Sequence, residues 1–267
     1  MYAKSIYQED IDKLQLSSFP GEITVIDKLG KEFDEAVRYL AAKDVIGFDT
    51  ESRPCFSPDQ PHYGTSLLQL SGAKKAFLFR VKMTGIPPKL CSILSSKKIL
   101  KVGAATADDV RGLQKYAKFA PEGFVDLQKM VWEYGIRDKS VKKMSAIILG
   151  VRISKTQQLS NWEAETLSEP QKKYAATDAW ICREMYKKLM DSEKNPLSPE
   201  DMLPNPPKNP AAVQGQCVPA GGQFSPATAA GQVPGSDSKA DKAGKKKRRN
   251  RHRNRNQRHK APSQDKK

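Results

Sequence analysis

Between residues 23 and 190 the apolar positions switch between two periods. Phe33, Val37, Leu40 and Ala41 recur at i, i+4, i+7 and i+8, which predicts a one-sided amphipathic helix over 31–42. It feeds the apolar run Val45-Ile-Gly-Phe, which ends in Asp49-Thr-Glu51 and reads as a buried strand. Ile23-Thr-Val-Ile26 is a short β-branched run, whereas 1–21 show no firm periodicity and are expected to form a polar lead-in over the domain surface. Pro54, Pro58 and Pro61 mark 52–65 as a loop. Beyond it, 66–71 and 75–81 read as strands joined by the turn Gly72-Ala-Lys, and with the first strand they make an antiparallel meander. Pro87 and Pro88 open a helix through Leu90, Ile93 and Leu94, and 99–103 is a further strand followed by a helix over about 106–116. A short strand at 124–127 then gives way to helices at 127–134, 141–149 and 170–190, with Pro170 well suited to a first turn. A meander followed by alternating strands and helices predicts an α/β domain with a mixed five-stranded sheet and helices on both faces.

From Asn195 the periodicity stops. Pro196, Pro199, Pro204, Pro206, Pro207 and Pro210 lead into an Ala/Gly/Gln/Pro segment and then a Lys/Arg-rich run from Lys245 to Arg258. None of it could bury enough surface to offset its ordering entropy, so the expected division is one domain at 22–194 and a disordered linker and basic tail at 195–267. Net charge is +16, and residues 239–267 hold fourteen Lys and Arg against two Asp, so only about four net positive charges remain for the rest. A basic tail without aromatics suits phosphate attraction without base reading, although a solubilising extension has the same composition. Its interleaved Asn and Arg are closer to disordered RNA-binding segments than to a duplex-DNA module, and Lys245 to Arg249 would read as a nuclear-import signal in a eukaryote. Cys55, Cys91, Cys182 and Cys217 form no C-x-x-C, which argues for a reducing compartment and against structural zinc. No apolar run approaches the roughly 20 residues that span a bilayer, and Gln8, Glu9, Asp10 and Asp12 are unlike an export signal. A soluble, cytoplasmic protein is expected.

Asp49 and Glu51 then need a reason. Residues two apart on a strand share a face, so these carboxylates project together, and a cation is the usual remedy for such repulsion. Taken alone, the pair could equally end a strand and start a loop. A third carboxylate stands at Asp108 or Asp109, early in the 106–116 helix. One residue rotates a side chain about 100° around a helix, so only one of the two can face a cleft. Val110, Leu113 and Ala117 place Asp109 beside the buried face, and Asp108 is the better helix-start residue. A fourth, Asp178, lies inside the long helix, where Asp has poor propensity, and shares a face with Tyr174 four residues earlier. Asp126 follows a strand and precedes a helix, so capping is its expected role.

Asp49, Glu51, Asp109 and Asp178, from one strand and two helices, match a known constellation. Over about 23–189 the sequence resembles the DEDD exonuclease superfamily and, within it, the ribonuclease D and Werner exonuclease-like branch. The resemblance rests on Phe48-Asp-Thr-Glu51, Leu68-Gln-Leu70, Lys101-Val-Gly103 with Asp109, Phe124-Val-Asp126, Ser160-Asn-Trp-Glu163 and Tyr174-Ala-Ala-Thr-Asp178. One subclass carries His five residues before the last Asp and the other Tyr four before it. Here 173 is Lys and 174 is Tyr, which is the tyrosine subclass, and the one His outside the tail, His62, reads as a surface or substrate-side residue. The resemblance implies a ribonuclease-H-like fold and 3′-to-5′ hydrolysis of phosphodiesters to nucleoside 5′-monophosphates. It also implies two Mg²⁺ or Mn²⁺ ions held by Asp49, Glu51, Asp109 and Asp178, with Tyr174 orienting the attacking water. The substrate would be single-stranded nucleic acid with a free 3′ end, with RNA favoured a little over DNA because of the tail. An idle nucleic-acid-binding scaffold on the same fold is the alternative.

Overall fold

The structure, a computed structural model, describes residues 1–57 and 63–202. His62 and the segment expected to be a disordered basic tail, from 203 onward, lie outside the described residues. The elements run α1 (Gln8–Asp12), β1 (Gln15–Leu16), β2 (Glu22–Ile26), α2 (Lys31–Ala41), β3 (Val45–Ser52), β4 (Thr65–Ser71) and β5 (Lys75–Arg80). Next come α3 (Val81–Thr84), α4 (Pro88–Leu94), β6 (Leu100–Gly103), α5 (Thr106–Gln114), β7 (Phe124–Asp126), and α6 (Leu127–Met130) continued by a 3₁₀ turn (Val131–Tyr134). α7 (Val141–Leu149), β8 (Val151–Arg152) and the long α8 (Glu169–Met190) complete the order before a 3₁₀ turn at Glu200–Met202.

The main sheet has the order β2-β5-β4-β3-β6-β7. The β3-β4-β5 meander is antiparallel, and β6 and β7 add parallel to β3. The mixed α/β architecture is as expected, but the sheet has six strands rather than five. The sixth is the run ending at Ile26, which pairs parallel with β5 from Glu22 opposite Lys75 to Ile26 opposite Phe79. Only Ile26 of that strand is fully buried, so its membership follows from a pairing across some fifty residues rather than from local patterning.

The packed unit also reaches beyond 22–194 at both ends. Ile11 and Phe19 are completely buried, the Phe19 N–H donates to Thr177 Oγ1 at 2.9 Å, and its ring lies 6.0 Å from that of Trp180. Two buried residues eight apart, with Leu14 and Leu16 between them left outside the core, create no period, so 1–21 read as a polar lead-in. At the other end, Asn195 and Leu197 N–H groups donate to the carbonyls of Glu133 and Trp132.

β4 is buried at every position, because helices cover both faces of the sheet. Phe48, Leu68, Leu70 and Phe79 point to one side, into a core with Phe33, Leu40, Leu90 and Leu113. Leu67 and Leu78 point to the other, against Trp162, Tyr174, Ala175 and Ala176. α8 begins at a capping box in which Ser168 and Gln171 satisfy each other's backbone N–H groups. Its small residues let it lie close on β3: a methyl on Gly47 would overlap the carbonyl oxygen of Ala179. Among the described residues no helix is long and apolar enough to cross a membrane.

Candidate active site

Close contact between Gly47 and α8 is what brings carboxylates from two elements together. Asp49 and Glu51 follow Gly47 at the strand period, so all three face the helix. One carboxylate oxygen from each of Asp49, Glu51 and Asp178 lies within 4.8 Å of the others. Asp178 is 4% exposed, and among the described residues its Oδ1 has no hydrogen-bond partner.

Asp109 stands next to this trio without belonging to it. The turn between β6 and α5 passes through Ala105 in the left-handed region, φ 56°, a conformation that costs a non-glycine residue about 1 kcal/mol. Asp126 supports it: its Oδ1 accepts from the Ala105 N–H at 2.9 Å and also from the Gln128 N–H at the start of α6. Capping was its expected role, and it caps while holding the turn that aims α5. Asp109 Oδ1 then accepts from the Thr50 hydroxyl at 2.5 Å, while Asp108 is exposed and paired with Arg111.

Burial and crowding push these acids toward their neutral forms. Glu51 is raised to about 9, first by burial and then by the charges of Asp49 and Asp178. Asp49 is raised well above the carboxylate range by burial, then by Asp178 and Asp109. Asp178 is raised by burial against the opposing Lys155, and Asp109 by burial against the Thr50 hydrogen bond. Burial and the nearby Asp178 raise the Tyr174 phenol far above its ordinary value, so it is a hydrogen-bond donor and not a phenolate. A partly buried set of hard oxygen donors, with mutual repulsion and a carboxylate oxygen that has no partner among the described residues, fits Mg²⁺ or Mn²⁺ and suits no soft-metal site.

Sequence reasoning missed Lys155. Its Nζ lies 3.0 Å from Asp178 Oδ2 and 5.4 Å from the centre of the Tyr174 ring, placing a cation against the carboxylates. A lysine in an aperiodic connection gives no signal, since what singles it out is a partner 23 residues away. The Ser160-Asn-Trp-Glu163 motif serves as scaffold. Trp162 is fully buried, with its ring 5.9 Å from that of Tyr174, and the Gln171 amide donates to Ser160 Oγ and the Asn161 carbonyl. The buried Arg80 guanidinium donates to the carbonyls of Ala164 and Glu165, pinning the same loop.

Known proteins resemble this chain in sequence and in fold. The chain is 30% identical over 187 residues to the bifunctional 3′-5′ exonuclease/ATP-dependent helicase WRN of Mus musculus, covering 67% of this chain and 13% of that protein. It is 33% identical over 149 residues to exonuclease 3′-5′ domain-containing protein 2 of Drosophila melanogaster, covering 54% of this chain and 25% of that one. The chain thus spans a quarter or less of the length of these relatives. Among solved structures, Escherichia coli RNase D shares the fold with a TM-score of 0.57 at 23% identity, over 64% of this chain and 44% of that one. Trypanosoma brucei RNase D in complex with RNA U12 does so with a TM-score of 0.56 at 24% identity, over 66% and 64%. The 3′-5′ exonuclease family matches residues 26–192, well over half of the sequence, and the chain belongs to that family.

Proposed function

We propose that this protein is a divalent-metal-dependent 3′-to-5′ exonuclease that removes nucleoside 5′-monophosphates from single-stranded nucleic acid. The observation that carries the reading is the trio of half-buried Asp49 and Glu51 with buried Asp178, a costly arrangement that packing alone does not account for.

In the reaction a water oxygen bonds to the terminal phosphorus, the P–O3′ bond breaks, and the leaving 3′-oxygen of the shortened strand takes a proton. Asp49, Glu51 and Asp178 would hold two Mg²⁺ or Mn²⁺ ions, with Asp109 acting at their edge. When bound, such ions compensate the charge on the attacking and leaving oxygens and lower the pKa of water. Tyr174 keeps its proton and would orient the attacking water through its phenol; it is a positioning group and not the base. Lys155, 3.0 Å from Asp178, counters the acidic charge that an incoming polyanion must approach.

RNA is the favoured substrate. Its support is the bound RNA named for the Trypanosoma brucei RNase D structure and the Asn/Arg composition of the basic tail, which would capture phosphates without sequence preference. Matched RNA and DNA single strands, labelled at the 5′ end, test the whole reading with Mn²⁺ and with chelator. A ladder shortening from the 3′ end in Mn²⁺ alone is expected. Retardation of both strands with no shortening would establish the idle scaffold instead.

A further inference from the structure

A second built feature adjoins the carboxylates. At Glu51/Ser52 the register between β3 and β4 shifts, an irregularity of the kind that re-aims a strand end, and Arg53 leaves the sheet two residues beyond Glu51. Its guanidinium carbon lies 4.5 Å from the centre of the Tyr63 ring, and Lys82 Nζ approaches the same ring at 5.7 Å. Lys82 is paired with Glu163, whose Oε1 also accepts from Ser66 Oγ at 3.1 Å. Arg53 differs, because among the described residues no carboxylate forms an ion pair with it. Its guanidinium lies over the Tyr63 ring, and the residue is exposed.

A series of side-chain contacts, with one step along the backbone, runs from the site to this feature. The Tyr174 ring packs on Trp162, Glu163 follows Trp162 in the chain, Lys82 joins Glu163, and Tyr63 joins Lys82 to Arg53. A guanidinium laid on an aromatic ring is held in one orientation and leaves its outer face for another flat π-system. Unpaired nucleobases stack on such planes, and bases inside a duplex do not offer their faces.

We propose that Arg53, held on Tyr63, is a base-stacking platform for the nucleotides at the 3′ end of a single strand, and that it sets a preference for unpaired ends. The proposal rests on the exonuclease reading above. Lysine could replace the charge of Arg53 but not its plane.

The test uses the full chain and two twelve-nucleotide single strands, one intact and one with abasic residues at its three 3′-most positions. With one base stacked on the platform, the wild type is expected to show a KM about tenfold higher on the abasic strand. Arg53→Ala should raise KM about tenfold on the intact strand, hold kcat within about twofold, and show no further loss on the abasic one. Arg53→Lys and Tyr63→Leu should behave as Arg53→Ala does. An equal response of Arg53→Ala and wild type to base removal, or full rescue by Arg53→Lys, would overturn the platform. If the wild type cleaves neither strand, the exonuclease reading falls, and fluorescence anisotropy with the same strands under chelation still decides the platform by the same criterion.

Discussion

The two faces of the central sheet are loaded differently. Toward α2, α4 and α5, the residues Phe48, Leu68, Leu70, Phe77 and Phe79 join one apolar cluster, with Phe48 and Phe124 in edge contact at 5.1 Å, and the buried Lys101 beside them donates to the carbonyls of Ser96 and Ile99. Toward α8, the same strands carry Asp49, Glu51 and Gln69, with Asp178 opposite. Among the described residues, the Gln69 side-chain amide, Trp162 Nε1 and Asp178 Oδ1 have no hydrogen-bond partner. Buried unpartnered polar atoms each cost about 1–3 kcal/mol, and buried like charges add to that. A fully buried large apolar side chain contributes about 1.5–3 kcal/mol, so the apolar face can stabilise a sheet whose other face is a chemical liability. The larger apolar cluster and the acidic cluster thus lie on opposite faces of one sheet.

Breaking either face should separate stability from activity. Phe48→Ala removes the largest apolar side chain between β3 and its apolar face and is expected to cost about 3–5 kcal/mol in urea unfolding, with activity per folded molecule retained. A loss of activity beyond the unfolded fraction would show that the faces are not independent. Asp178→Asn should do the opposite, with kcat falling by about two to three orders of magnitude, in line with the several kcal/mol that such sites supply. Thermal stability under chelation should hold or rise as repulsion is relieved, so a clear drop in Tm would contradict the assignment. Gly47→Ala strikes the seam between the two. The added methyl must push α8 off β3, costing about 1–3 kcal/mol as overpacking does, and the carboxylates should separate, so activity should fall more than stability alone explains.

A smaller effect is expected from pH. Glu51 is raised from about 4.5 to about 9 in the folded chain, so above pH 4.5 the folded state keeps a proton that the unfolded state has released. Stability of the chelated protein should therefore fall as pH rises from about 4.5 to 9, by at most about 1.4 kcal/mol per pH unit for each such group. Mg²⁺ or Mn²⁺ should flatten the slope, and equal slopes with and without metal would argue against cation binding at the trio. The smallest change is expected for Asp108→Asn, which loses only an exposed pair with Arg111, worth well under about 1 kcal/mol. Asp109→Asn should slow turnover markedly, and the reverse ranking would move the site to the other side of α5.

The sequence by itself determined what is local. The period of Phe33, Val37, Leu40 and Ala41 announces α2, the alternation through Asp49 and Glu51 puts two carboxylates on one strand face, and the four-residue spacing of Tyr174 and Asp178 puts phenol and carboxylate on one helix face. Those relations are set by 2 residues per pleat and 3.6 per turn, so they can be read from neighbouring residues. Only the tertiary structure decided which distant pieces meet. It made the run ending at Ile26 the sixth strand, buried Ile11 and Phe19, set Lys155 against Asp178, and turned Gly47 from a gap in an apolar run into the point where α8 touches β3. Each depends on a surface supplied by residues remote in the chain, and a glycine or a lysine carries no periodic mark of the partner it will meet.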